Sequence, residues 1–208
     1  MKSIYIYIAV LFFCFSFSQK KELRQIKRLI DEKFFQEAES LLDSNKDFLL
    51  SGDSKTDSQY YYYATKIYTE TESFVLATSS LEKLMSINTS FYNSEMKLDY
   101  KNLEEILVVA LVNSAVADNS SKKWMQGVDK LLLAYDMNKE TNIDYLYFAA
   151  SGAVNAENFD LALEYYLTLK EKSYTGIIDE YFITNVQSGV EEKVTETEYK
   201  IYQSSKEY

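Results

Sequence analysis

Apolar residues recur at spacings of three and four positions along most of the chain, in blocks separated by short polar breaks. The clearest blocks cover residues 103–117 and 144–155, where the apolar side chains would share one side of a helix. The breaks at 51–54, 118–121 and 138–142 are rich in Ser, Asp and Asn, which cap helix N-termini. The pattern therefore predicts an all-α chain, with helices over residues 20–31, 33–49, 56–71, 73–87, 95–118, 121–137, 142–156 and 158–172.

A short motif recurs four times along this helical region. In each copy an aromatic residue precedes a small residue, and further large apolar residues follow. The step from the second to the third copy is the longest, which predicts an extended first helix near residues 95–118. The recurrence indicates repeated pairs of helices. The small residues of the four copies are Ala38, Ala77, Gly127 and Ala162.

These pairs resemble the tetratricopeptide repeat (TPR), a helix–turn–helix unit of about 34 residues. The unit at 143–174 is the most similar, with small residues on both helices that allow close approach of the axes. Residues 19–23, 145–150 and 174–177 are similar to exported TPR proteins of Gram-negative bacteria. The resemblance implies a superhelical array of hairpins over residues 19–175, whose concave face binds a protein or peptide. The alternative interpretation is an irregular helical bundle.

The C-terminal segment, residues 176–208, has a different pattern. Residues 180–186 are β-prone, residues 187–189 suit a turn, and residues 190–195 can return as a second strand. We therefore expect a small C-terminal β-hairpin, followed by a short helix within residues 197–208.

The N-terminus has the features of a signal peptide. Lys2 precedes an apolar run over residues 4–17, and Ser16 and Ser18 occupy positions −3 and −1 of a cleavage site before Gln19. We predict that residues 1–18 are removed and that the protein is periplasmic or otherwise extracytoplasmic. No later segment is apolar for long enough to predict a stable membrane span. The alternative is that the run is retained as an N-terminal anchor.

The residues missing from the composition exclude several kinds of site. The chain has no His and one Cys, so it contains no Ser–His–Asp triad, no His metal ligand and no internal disulfide. Adjacent carboxylates such as Glu104 and Glu105 diverge on a helix and do not form an acid–base pair. We therefore predict a protein that is not an enzyme, with no catalytic residues, no metal site and no cofactor.

A chain with a net charge of −10 is a poor binder of nucleic acids, so the expected partner is a protein or peptide. The TPR register places a set of polar and aromatic side chains on the concave face, with Tyr62 and Tyr147 as the main contacts. An alternative function is an envelope carbohydrate-binding accessory module, in which tyrosine rings stack on sugars. The predicted partner-binding residues are Gln59, Tyr62, Lys66, Asp144, Tyr147, Ser151 and Asn155.

Overall fold

The computed structural model describes residues 18–50, 53–177, 179–184 and 189–205. These residues form two compact units, which meet in the sequence between Lys172 and Ser173. Nearly all of the predicted signal peptide, and most of the turn predicted at 187–189, lie outside the described residues. No helix among the described residues is both long and apolar enough to cross a membrane.

The first unit consists of helices joined by short connections. Helix α1 is described over residues 18–31. The helices that follow are α2 (Phe35–Ser44), α3 (Lys46–Leu49), α4 (Ser54–Glu70), α5 (Phe74–Ser86), α6 (Ser94–Ser120), α7 (Trp124–Met137), α8 (Ile143–Asn155) and α9 (Phe159–Glu171), with a 3-10 turn at Thr89–Phe91 between α5 and α6.

Side-chain caps explain where several of these helices begin. Asp53 accepts hydrogen bonds from the backbone N–H groups of Lys55 and Thr56, at 3.0 and 2.9 Å, and so begins α4. The side chain of Asn93 does the same for α6 by accepting from the N–H of Met96 at 2.9 Å. The helix predicted over 33–49 is instead divided at Asn45. There the side-chain amide donates to the carbonyl of Leu41, a local bond that competes with helix continuation.

The four hairpin turns share one backbone conformation. In each turn a non-glycine residue with positive φ stands two positions before the first residue of the second helix, which is aromatic in every case. Such a left-handed residue ends a helix and lets the chain reverse. The turn at Lys122 has the matching hydrogen bonds, from its own N–H to Asn119 O at 3.0 Å and from Lys123 N–H to Asp118 O at 2.9 Å. The four residues are Lys33, Glu72, Lys122 and Glu157, with φ of 63°, 57°, 61° and 58°.

The core of the first unit comprises two groups of buried side chains. The larger group is formed by side chains from α1 to α7 and contains large residues such as Ile26, Leu42, Ile67 and Leu107. The smaller group lies where α6, α7, α8 and α9 pack against one another, and most of its side chains are small. Its members are Ala115, Val128, Leu131, Ala149, Ala153 and Ala162. The four small residues of the sequence motif are all buried, because each lies where two helices approach closely.

The second unit is a β-hairpin followed by a helix. Strands β1 (Tyr181–Thr184) and β2 (Glu191–Val194) are antiparallel, with Tyr181 opposite Val194. Helix α10 (Glu196–Ser205) begins at a capping box, in which the Glu198 carboxylate accepts from the N–H of Thr195 at 2.8 Å. The prediction of an all-α array of hairpins with a small C-terminal β-hairpin is confirmed, as is the extended helix near residues 95–118.

Candidate functional site

The predicted partner-binding residues lie on the first helices of two hairpins, α4 and α8. At the middle of α4, the Tyr62 hydroxyl donates a hydrogen bond to Asp99 Oδ2, in the N-terminal half of α6, at 2.7 Å. The Lys66 ammonium donates to the same carboxylate oxygen at 3.1 Å and lies 5.1 Å from the centre of the Tyr62 ring. This three-residue contact joins the two helices, and we call it the closed contact.

The prediction that Tyr62 contacts a partner is therefore wrong, because the residue is only 1% exposed. Tyr60 and Tyr63 are buried as well, since α4 is packed against α2, α5 and α6. Burial raises the pKa of Tyr62, and the hydrogen bond to Asp99 raises it further, so the hydroxyl stays protonated and donates. Gln59 and Lys66 are half-buried on the same helix.

Beyond this contact, towards the C-termini of α4 and α6, lies a cavity of about 570 Å³, which we call the α4–α6 cleft. Its walls come from the first helices, and Phe74 of α5 and Lys130 of α7 contribute from the second helices. Ile106 and Val109 on the α6 wall are 48% and 52% exposed. The remaining lining residues are Thr69, Glu70, Glu72, Ala110, Asn113, Ser114, Ala117 and Asp118.

The Lys130 ammonium group forms hydrogen bonds at the polar end of the α4–α6 cleft. Lys130 Nζ donates to Asp118 Oδ2 at 2.5 Å and to Ser114 Oγ at 2.7 Å, and lies 5.8 Å from the centre of the Phe74 ring. The Ser114 hydroxyl in turn donates to the Glu72 carboxylate at 2.8 Å. The buried charge of Asp118 is thereby compensated, while the Glu72 carboxylate receives a hydrogen bond from a neutral group.

A second cavity, of about 270 Å³, lies between α6 and α8, and we call it the α6–α8 cleft. Two predicted residues, Ser151 and Asn155, lie on its α8 wall. Its other lining is mostly apolar and includes Val116 and Phe148, both of which are exposed. Asn119 Oδ1, at the polar end, is buried without a hydrogen-bond partner.

Tyr147 and Asp144 are the remaining predicted residues, and neither lines the α6–α8 cleft. Tyr147 is 41% exposed and packs edge-on against Phe148 and against Tyr166 of α9. Asp144 is half-buried in the first turn of α8. The structure thus separates the seven predicted residues rather than bringing them together. Two form the contact with Asp99, two line the α6–α8 cleft, one belongs to the aromatic group near α9, and Gln59 and Asp144 lie in none of these places.

Sequence reasoning missed the exposed apolar residues of α6. The segment 103–117 contains more large apolar residues than one buried face of a helix can hold, and this excess was the available signal. Leu103, Leu107 and Leu111 take the buried face, which leaves Ile106 and Val109 exposed.

Within the part of the chain that the structure describes, no group of three or more His, Cys, Asp or Glu side chains is arranged to hold a metal ion. The sequence matches no protein-family model, and no curated protein or solved structure is significantly similar to it.

Proposed function

We propose that the protein is a non-enzymatic, TPR-like adaptor that binds a protein or peptide segment along the face formed by α4, α6 and α8. The observation that carries the proposal is the row of exposed apolar side chains on α6, which lies between two clefts. Ile106 and Val109 lie at one cleft and Val116 lies at the other. Exposed apolar residues grouped beside a cavity are typical of interaction sites in proteins that are otherwise well packed.

The repeated hairpin turns support the TPR-like part of the proposal. Stacked hairpins present their first helices side by side, which produces an extended surface suited to a peptide or protein. The proposed place of action is the periplasm or another extracytoplasmic space, on the basis of the basic start, the apolar run and the small residues before Gln19.

A site-specific photo-crosslinker tests the function. Benzoylphenylalanine in place of Ile106 should give a discrete adduct with one partner in native cells, and mass spectrometry identifies it. The matched control is the same group in place of Val75, which is exposed on α5 and lines neither cleft. Adding Val109→Asp should abolish the adduct at position 106. Identical adducts from both positions, or an adduct insensitive to Val109→Asp, contradict the proposal.

A carbohydrate-binding role is a second candidate, supported by the aromatic group near α9. Tyr147, Phe148 and Tyr166 are all exposed and their rings are in contact. Exposed aromatic rings can stack on the apolar face of a sugar. Glycan-array binding that is lost in Tyr147→Ala and retained in Phe34→Ala, an exposed aromatic control outside this group, supports this role.

A further inference from the structure

We propose that the occupant of the α4–α6 cleft is a cationic, amphipathic peptide segment. Its Lys or Arg head group would lie against Glu70 and Glu72, and a neighbouring apolar side chain would pack on Ile106 and Val109. The inference rests on the proposed function, which it deepens by naming the chemistry of the partner.

The lining of the α4–α6 cleft has more negative than positive groups. Three carboxylates line it, Glu70, Glu72 and Asp118, against a single ammonium, that of Lys130. Lys130 is engaged by Asp118 and Ser114. Among the described residues, the carboxylates of Glu70 and Glu72 have no ion-pair partner, so the mouth of the cleft retains negative charge. Electrostatic attraction speeds the association of a positively charged segment with this mouth and favours the orientation in which its charges face the carboxylates.

Two lysines on neighbouring first helices are paired with carboxylates other than Glu70 and Glu72. Lys66 is 3.1 Å from Asp99, and Lys27 of α1 is 3.0 Å from Glu95 and 3.2 Å from Asp31. Each of these ammonium groups is thus already paired with a carboxylate that does not line the cleft. The complementary positive charge has to come from the partner.

The α6 wall of the cleft offers an apolar surface on which a partner side chain can pack. Ile106 and Val109 are about half exposed, and Ala110 and Ala117 continue the wall without long side chains. The cavity of about 570 Å³ lies within the range of roughly 300–1,000 Å³ that is usual for ligand sites. Long cationic side chains pack their methylene stems on apolar surface while the charged head contacts carboxylates, so a wall and a rim of this kind suit Lys or Arg.

The cleft already holds one alkylammonium group in this manner. Lys130 lies with its Nζ on the Asp118 carboxylate and above the Phe74 ring. The same combination of carboxylate and apolar surface recurs at the mouth, with Glu70 and Ile106. A second copy of this chain is a poor occupant, because two chains with a net charge of −10 repel each other.

The test measures fluorescence anisotropy of three labelled peptides, KLKLKLKLK, SLSLSLSLS and ELELELELE, with the full chain. KLKLKLKLK should bind, with an affinity that falls as salt is added, and the other two should bind at least tenfold more weakly. The double variant Glu70→Gln/Glu72→Gln should weaken binding of KLKLKLKLK about tenfold, since each exposed ion pair contributes a few-fold.

The matched control is Glu82→Gln/Glu164→Gln, which removes the same charge from exposed positions outside both clefts. It should bind KLKLKLKLK nearly as the parent does. A third variant, Ile106→Ser/Val109→Ser, should also weaken binding, with an unchanged dependence on salt. Circular dichroism verifies that each variant is folded.

Equal weakening by the two Glu→Gln pairs, or equal affinity for SLSLSLSLS, overturns the inference. The crosslinking experiment at position 106 distinguishes refutation of the cationic partner from refutation of the adaptor function. A specific cellular adduct together with no preference for KLKLKLKLK refutes the cationic partner and leaves the adaptor function standing. Absence of any specific adduct from position 106 in the chain that keeps Val109 refutes the adaptor function.

Discussion

The hydroxyl of Tyr62 on α4 and the carboxylate of Asp99 on α6 are joined by a hydrogen bond of 2.7 Å. The two residues are far apart in the sequence, and their contact sets where the first helices of two successive hairpins touch. The α4–α6 cleft opens only beyond this contact, towards the C-termini of both helices.

Removing this hydroxyl should destabilise the protein without unfolding it. For Tyr62→Phe we expect a loss of about 1–2 kcal/mol in the free energy of unfolding, because a hydrogen bond to a charged group is lost while the ring still fills its site. Urea denaturation measures the change. Tyr61→Phe, on a half-buried neighbouring ring, is the control and should change stability by less than about 0.5 kcal/mol. Equal effects of the two variants would contradict the role of the contact.

The same contact makes stability depend on pH through Asp99. Burial by itself raises the pKa of Asp99, but the hydrogen bonds from Tyr62 and Lys66 outweigh this, so the pKa is lowered on folding. A lowered carboxylate pKa contributes stability above its unfolded value of about 3.9, and this contribution is lost as pH falls through the folded value. Asp99→Asn should therefore be less stable than the parent at pH 6, with a difference that shrinks towards pH 3. Glu82→Gln, at an exposed position, should show no such convergence.

A methyl group at Gly127 should be crowded by its neighbours. A Cβ at this position would lie 2.3 Å from Asn119 Oδ1 and 3.1 Å from the Ala115 carbonyl oxygen. Gly127→Ala should therefore cost about 1–3 kcal/mol by overpacking, although alanine is the better helix former. The double variant Gly127→Ala/Asn119→Ala removes the nearer contact and should recover part of the loss, as thermal denaturation will show. An Ala variant that is more stable than the parent would contradict this packing.

Glycine should stabilise the turn between α6 and α7. Lys122 is exposed and has φ of 61°, a conformation that a Cβ disfavours by about 1 kcal/mol or more. We therefore expect Lys122→Gly to raise the free energy of unfolding by about 0.5–1 kcal/mol. Lys122→Ala, which removes the charge and keeps the Cβ, is the control and should give no gain. A similar gain from both variants would assign the effect to charge instead.

The amino-acid sequence by itself determined the local structure of this protein. The three- and four-residue apolar spacing and the polar breaks predicted the helices of the first unit, and the motif at Ala38, Ala77, Gly127 and Ala162 predicted their pairing. These features depend on neighbouring residues along the chain, through caps, turns and the side of a helix that must be buried. The division of the predicted helix at Asn45 is also local, but a single amide side chain gives only a weak signal.

Only the tertiary structure decided which faces remain exposed. Four successive tyrosines, Tyr60 to Tyr63, point around most of α4, so their sequence cannot say which of them faces a neighbour. Packing of α2, α5 and α6 around α4 buries Tyr62, whereas Ile106 and Val109 on α6 are about half exposed within the described part of the chain. Whether an apolar residue becomes core or binding surface depends on the distance and direction of other helices, which are set by contacts between residues distant in the chain.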